Sequence, residues 1–589
     1  MVSPHYDVVV IGAGIAGLSQ CRHLLLKIPG LRDKRVAIID PRSTIRNNQA
    51  EDFKVGESTE LELQDYLVEN QPPKFTLQFH WPRNIEKTDS MDDYYSTWAI
   101  KNPEIQSFQL NRSKIEKDLL QMILGQGAIY YHGRVKDVDI TEGDNIKTVD
   151  IQMLSDEDRF EDQKQLERIS ITTDYIVDAS GRNFIIGSRT DNILKGPENL
   201  FGLANGSTWV RVKAIDKKYF DFNSQDVTAS WYYDTNHFFG PGYWLWMIPI
   251  ERGSHDFSIG VSYHKDRFSP TQFNSYEKFM SFLEKNQKIL YNLIKSGEII
   301  DFHRWPTLPH TSKRFVSPDN WSVIGDAAAI FDPFYSTGMT MIAQEVECVT
   351  EIIRHKLAGD EKGVADRVDA YDKLVRTITQ INNHLIKSHS KHLGNASVMS
   401  WRIYMESTNY FGTALPVYIG KYHLCPVFCR DFAANVHFLL EGRDRLLKLM
   451  DYMVDNNINA GFMDNHRGDN QLSGSWAPAI SWDYDGAIKD CKYGFKRLNI
   501  HKYIVNTMWY DLRIVTLLYY RVYGLAGLVH PDYLWLLSVR SIAMTKHSFQ
   551  SLVHQYNKWG VPANEYYHKM GLDFKSYSYN DDIIPWNYD

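Results

Sequence analysis

Asp7-Val8-Val9-Val10-Ile11-Gly12-Ala13-Gly14-Ile15-Ala16-Gly17 is a β-branched run that turns without a spacer into Gly-x-Gly-x-x-Gly. Leu18 to Leu26 continues at helical spacing, and a second apolar strand, Arg35 to Ile39, ends in Asp40, 28 residues after Gly12. Strand, glycine turn, helix, strand and acid in this order form the dinucleotide fingerprint of a Rossmann-type βαβ unit. Gly12, Gly14 and Gly17 let the backbone approach a pyrophosphate. Ile15 and Ala16 open the helix whose N-terminus favours its charge, and Asp40 can accept from a ribose diol. Gly524-Leu525-Ala526-Gly527 lacks the preceding strand and the spacing, so one dinucleotide is expected, not two.

A second glycine-rich stretch stands far downstream. Trp321-Ser322-Val323-Ile324 runs into Gly325-Asp326-Ala327-Ala328-Ala329-Ile330-Phe331-Asp332-Pro333-Phe334-Tyr335-Ser336-Thr337-Gly338, and a helix is expected from Met339 to Leu357. Gly325 permits close approach of a ligand, and Asp326 can take a hydroxyl hydrogen bond. Ser336-Thr337-Gly338 leaves bare amides at a helix mouth, a seat for a small anion.

Working outward, Phe53 to Thr59 is a polar turn holding Lys54, Gly56, Glu57 and Ser58, before a helix expected from Glu60 to Glu69. Lys74-Phe75-Thr76-Leu77-Gln78-Phe79-His80-Trp81 alternates strictly, and alternation alone makes it a half-exposed strand with a solvated lysine. Asn111-Arg112 precedes a helix, Ser113 to Leu124, with Ser113 as its expected cap. Strands are expected from Ala128 to Val135 and from Ile169 to Val177, the latter entering Asp178-Ala179-Ser180-Gly181-Arg182, with Thr141 to Arg168 as a polar hairpin between them. Leu203 to His303 reads as an antiparallel sheet containing Trp244-x-Trp246-x-Ile248-Pro249, whose alternate residues share a face. Beyond Gly338 the chain is mostly helical: Gln344 to Leu357, Ala365 to Leu393, Arg430 to Asn456 and Tyr503 to Tyr523. Gly461 to Asp485 is expected to be a long loop.

The 589 residues suggest about two to four domains. A formal charge of −7 makes no case for a nucleic-acid partner. The opening residues enter a strand at once, without a signal peptide, and the run from Ile514 to Val539 is broken by Arg521, His530, Pro531 and Asp532, so no membrane span is expected. Five cysteines make no disulfide framework and fit a reducing, cytoplasmic setting. Cys425 and Cys429 have the spacing of half a metal site, with no second half, so no metal is expected.

Together, GAGIAG, Asn111-Arg112, DASGR and GDAA resemble the FAD-binding fold of flavoprotein monooxygenases. Trp244-x-Trp246-x-Ile248-Pro249 is similar to the WxWxIP signature of flavin-dependent halogenases, and Phe331-x-Pro333-x-x-Ser336-x-Gly338 to their FxPxxSxG string at the halide site. The resemblance covers roughly residues 6–357. It implies an α/β fold with a Rossmann-type core over 1–358, including an antiparallel substrate-side sheet over roughly 200–305. A helical region over 359–589 would cover the substrate pocket.

The same resemblance implies FAD, used as FADH2 from a separate flavin reductase, and O2, with which the reduced flavin oxidises chloride or bromide to hypohalous acid. Gly56 and Ser58 would sit by the flavin with catalytic Glu57. Arg112, Val135, Gly181, Gly325, Asp326 and Met339 would lie along the rest of the cofactor, and Ser336, Thr337 and Gly338 would hold the halide. Trp244, Trp246, Ile248, Pro333 and Tyr335 would line the tunnel and substrate pocket. Lys74, in a strand similar to that of phenol and pyrrole halogenases, would relay the oxidant, with Lys54 as the fallback. The relay is a haloamine or a hydrogen bond. A lysine that accepts halogen must be neutral when attacked, which burial among apolar walls favours. Halogenases of free tryptophan carry a glutamate where this chain has Tyr335, which points instead to a phenolic or similarly electron-rich substrate, free or tethered to a carrier protein. The rival readings are an aromatic hydroxylase on the same fold and a non-catalytic escort protein. The hydroxylase would need neither halide seat nor lysine, and escort proteins tend to lose the glycines kept here.

Overall fold

The computed structural model describes residues 3–42, 61–74, 77–98, 107–155, 163–219, 234–251, 254–464, 469–470 and 499–553. His5–Ile11 lies between two parallel neighbours, Val36–Asp40 and Gln165–Asp178. Ile129–Asp139 continues the parallel sheet beyond Val36–Asp40, and Trp321–Val323 extends it beyond Gln165–Asp178. Val8, Val9 and Val10 have no exposed surface, as expected of a parallel strand covered on both faces. The distal halves of Ile129–Asp139 and Gln165–Asp178 leave this layer and sandwich Lys147–Leu154 in antiparallel register. Helices Ile15–Lys27, Arg112–Gly125 and Gly338–Leu357 pack over the sheet, the third against the first.

The second sheet runs Glu298–Trp305, Asn205–Lys213, Phe257–His264, Tyr243–Pro249, Thr235–Gly240, Leu77–Pro82, Tyr94–Trp98. It is antiparallel except where Leu77–Pro82 joins Thr235–Gly240 in parallel. The sheet expected over 200–305 therefore also recruits two strands from residues 77–98. Residues 276–295 are not strand: Tyr276–Asn286 and Lys288–Lys295 are helices whose apolar stripe (Phe279, Leu283, Leu290, Leu293) covers one face of the sheet.

The half-exposed strand expected from Lys74 is corrected. Pro73–Lys74 pairs separately with Ser107–Phe108, and Leu77–Pro82 is buried on both faces. Its polar side survives burial because Gln78 and His80 find polar partners on neighbouring strands and loops. Gln78 donates to Asp234 at 2.9 Å, and His80 bonds Ser96 at 2.9 Å and Asn236 at 3.0 Å.

The helical C-terminal part begins after Gly359 with Glu361–Leu385, then Ala396–Asn409, Pro426–Asp455, Ile500–Tyr523 and Pro531–Leu552. The run expected to continue to Leu393 stops at Leu385, and Ser388 (φ 65°) reverses the chain. Asn111, not Ser113, caps Arg112–Gly125, its side chain accepting from the Lys114 amide at 3.3 Å. Ile500–Val529 is long and apolar enough to cross a membrane by length and composition alone. One side of it packs through Ile514, Val515 and Leu518 into a core with Trp401 and Met450. The long loop expected over residues 461–485 falls mostly outside the described residues.

Candidate active site

The glycine turn shows why each glycine stands where it does. At Gly12 (φ 100°) a Cβ would fall 2.3 Å from the Ala179 carbonyl oxygen, and at Gly17 it would fall 1.9 Å from that of Gly12. These two close the turn and seat the helix on the strand. At Gly14 the nearest atoms are 3.8 to 4.0 Å away, on Arg42, Glu116 and Arg112, so this glycine faces an open groove between two guanidinium groups. The Ala13 amide donates to Asp40 at 2.6 Å, and the Ile15 amide to Glu116 at 3.0 Å. Arg42 bonds both Asp40 (2.9 Å) and Glu116 (3.0 Å), and Arg112 donates to Glu116 at 2.7 Å. Burial works against the Arg42 charge, but Asp40 and then Glu116 together outweigh it and raise the guanidinium pKa. An open cradle with two cations and a helix mouth fits the pyrophosphate of FAD.

Gly325 (φ 58°) packs against this unit: a Cβ there would fall 2.7 Å from Ala16, and its amide donates to Glu345 at 2.8 Å. Burial raises the pKa of Asp326, opposed by the nearby Arg112 and Arg182. Gly181 (φ 61°) faces open space, Val135 is half-buried opposite Ile151, and Met339 is buried in the first turn of Gly338–Leu357. Lys54, Gly56, Glu57 and Ser58 lie outside the described residues.

A cavity of about 1050 Å³, counting its mouth, adjoins this region. Its wall brings together Lys74, Trp244, Trp246, Ile248, Asp326, Pro333, Ser336 and Gly338 from widely separated parts of the chain. Lys74 is 3% exposed. Gln109 and Thr235, bonded to each other at 2.8 Å, share the wall with it. Trp246 donates to Ser258 at 3.1 Å, and its ring lies 6.4 Å from that of Trp209. Ser336 adopts the left-handed conformation (φ 51°) and turns the chain into Gly338–Leu357. Among the described residues, the amides of Thr337 and Gly338 donate to no backbone acceptor. They are free donors at a helix N-terminus.

Tyr335, expected in the pocket, is not among the residues lining this cavity, although it packs beside the cluster of Trp244 and Phe334. Ser336 turns the backbone at that point, and the Tyr335 hydroxyl is buried on the side of Glu406 in the C-terminal helices; burial, then Glu406, pushes its pKa well up. Glu406 in turn accepts from Arg443 at 2.7 Å.

Several residues of the site were missed from sequence. Glu116 sits four positions after Arg112, a spacing that places the two on one helix face and could have been read. Trp209, His237 and Trp305 line the cavity through cross-strand register, which leaves no local signal.

No family model matches the chain. Over 598 aligned positions, 99% of each chain, the sequence is 60% identical to the flavin-dependent halogenase chlA of Dictyostelium discoideum. The chain belongs to the flavin-dependent halogenases. A chlorinase of pyrrole-2-carbonyl groups on a peptidyl-carrier protein, from Pseudomonas fluorescens, is 25% identical over 57% of this chain and 73% of its own. In fold, the halogenase PltM matches with a TM-score of 0.56 at 15% identity, covering 86% of this chain and 98% of its own. The flavin-dependent halogenase CmlS matches with a TM-score of 0.51 at 19% identity, covering 67% and 65%. As a flavin-dependent halogenase the protein is an oxidoreductase that uses FAD and a halide, and needs a flavin reductase.

Proposed function

We propose that this halogenase carries out electrophilic halogenation of a phenolic or similarly electron-rich aromatic substrate, with Lys74 as the relay. One observation carries the reading: Lys74, deeply buried, lines the same cavity as Ser336, Gly338, Trp244 and Trp246. Bound reduced flavin would activate O2, and that oxidant would turn halide into hypohalous acid. The chain's own groups do the rest. The Thr337 and Gly338 amides hold chloride or bromide at the helix mouth, and the indoles of Trp244 and Trp246 keep water from the path. Lys74 then presents the halogen to the ring. A phenolate needs no partnering carboxylate to be attacked, consistent with Tyr335 standing where halogenases of free tryptophan carry a glutamate.

Residues 1–358 supply the cofactor and halide chemistry in this reading, and residues 359–589 close the substrate side. Leu393, Met399 and Ile403 support that division by packing in one cluster with Trp244 and Phe334. Cys21, Cys348 and Cys429 are free thiols, which suits a reducing cytoplasmic setting.

The test supplies purified protein with FAD, a flavin reductase, NADH, oxygen and bromide. Free phenols and the same acyl groups on a carrier protein are screened by mass spectrometry, with Lys74→Ala in parallel. Brominated product from wild type and none from Lys74→Ala is expected. Equal product from both would remove Lys74 from the relay, and a bromide-independent hydroxylated product would overturn the reading.

A further inference from the structure

We infer that Asp332 is a positioning residue for halogenation, its carboxylate fixing the halide loop and the Trp244 wall in one relation to each other. Asp332 stands between Phe331 and Pro333 and is 3% exposed. Its Oδ1 accepts from the Trp244 indole nitrogen at 2.9 Å and from the Phe334 amide at 3.0 Å. Its Oδ2 accepts from Asn205 Nδ2 and from Ser262 Oγ, each at 2.7 Å. Four bonds saturate a carboxylate.

The donors come from separate elements. Trp244, Ser262 and Asn205 belong to three successive strands of the second sheet, and the Phe334 amide belongs to the turn Pro333–Tyr335 that leads into Ser336. A buried carboxylate is tolerated only when its lone pairs are met, and bonds to a charged acceptor are stronger than neutral ones. Moving the loop without the indole, or the indole without the loop, therefore breaks a strong bond inside the protein. Pro333, Ser336 and Gly338 on one side of Asp332 and Trp244 on the other all line the cavity. The carboxylate itself is not part of that wall, so its effect passes through the groups it holds. The inference rests on the reading of Thr337 and Gly338 as the halide seat.

Asp332→Asn preserves size but removes the charge and turns one acceptor oxygen into a donor, which must face the donors of Trp244 and Phe334 or those of Asn205 and Ser262. The exchange Asp332→Asn with Asn205→Asp restores a donor facing an acceptor. Wild type and both variants are assayed with FAD, flavin reductase, NADH, oxygen and phloroglucinol while bromide is titrated, and hydrogen peroxide and brominated product are both counted.

Asp332→Asn is expected to raise the KM for bromide about tenfold or more, the size of one lost charge-assisted bond. It also diverts oxidising equivalents into peroxide, with FAD affinity unchanged, and the double exchange recovers most of the coupling. Wild-type bromide KM and coupling in Asp332→Asn would overturn the inference, as would a folded double exchange with no recovery. Should Asp332→Asn fail to fold, Trp244→Phe removes a single donor and must shift bromide KM and coupling in the same direction. No change there is equally fatal. Wild-type peroxide and product yields that both ignore bromide would instead overturn the halide-seat reading, and this inference with it.

Discussion

Trp209 and Trp246 lie on strands separated by Phe257–His264, yet their rings come within 6.4 Å of each other across Gly260. A Cβ at Gly260 would fall 2.3 Å from the Trp246 ring and 2.4 Å from the Trp209 Cβ. The missing side chain is what lets two indoles from strands on either side share one cavity wall.

Gly260→Ala therefore forces the two tryptophans apart. Overpacking of this kind costs about 1–3 kcal/mol, and the displaced Trp246 narrows the cavity. The expected outcome is a moderate fall in urea midpoint, with kcat/KM for the aromatic substrate down about tenfold or more and FAD affinity unchanged. Equal activity in a folded Gly260→Ala protein would show that the indole wall does not shape the substrate site.

The glycine turn gives a sharper contrast. Gly17→Ala drives a methyl into the Gly12 carbonyl at 1.9 Å and is expected to prevent folding of the first βαβ unit. Gly14 has extended backbone (φ −75°) and no neighbour nearer than 3.8 Å. Gly14→Ala should fold normally, yet its methyl enters the groove between Arg42 and Arg112, where the pyrophosphate would lie. FAD affinity is expected to fall about tenfold or more with the melting temperature nearly unchanged. Fluorescence titration of FAD and a thermal melt decide it, and unchanged affinity would place the cofactor elsewhere.

These cases mark how far the sequence could be read. The fingerprint was legible because its chemistry is local: Gly12, Gly14, Gly17 and Asp40 act within one βαβ unit. WxWxIP and FxPxxSxG were legible as motifs, and alternation correctly put Trp244, Trp246 and Ile248 on one face. Alternation failed at Lys74, because the other face of that segment is covered too, by a polar layer (Asp234, Asn236, Ser96) that mimics a solvated surface in sequence. The turn at Ser336 was illegible because its left-handed conformation falls on a residue type that rarely signals one. The partners of Asp332 come from positions 205, 244 and 262, and only sheet register brings them together.

Buried histidines predict acid lability. Burial is the main cause that pushes His23 down to about 3, and His310, His384 and His392 down to about 4. Asp444 and Asp451, at 2.9 and 2.8 Å from His384 and His392, oppose this without winning. With folded pKa values below that of the unfolded chain, the unfolded state takes up protons first as pH falls. This stability is fully present above about pH 6.5 and is lost between there and about pH 4. Each group contributes a slope of up to about 1.4 kcal/mol per pH unit in that window. The urea midpoint is expected to fall steadily from pH 7 to pH 5, and His392→Gln to flatten the slope. A midpoint independent of pH in this range would refute the assignment.

The helix Gly338–Leu357 is locked along its length by a buried charge pair. Lys421 Nζ lies 2.6 Å from one Glu347 oxygen and His423 Nε2 lies 2.9 Å from the other, all three side chains at most 3% exposed. Burial alone would raise the Glu347 pKa, but Lys421 and then His423 pull it well below the usual carboxylate range. Removing the ammonium leaves a carboxylate stranded, so Lys421→Met is expected to cost about 3–5 kcal/mol at neutral pH. Glu347→Gln combined with Lys421→Met should recover most of that, since no uncompensated charge remains. The pH dependence separates this account from a simple loss of packing. In Lys421→Met, burial of Glu347 is far less opposed, so its folded pKa rises above that of the unfolded chain and protonation favours the folded state. The deficit relative to wild type should therefore shrink as pH falls from 7.5 to 5.5, and urea unfolding of the three proteins at both values measures it. A deficit that stays constant or grows in acid would mean that the lysine stem, not its charge, holds the seam.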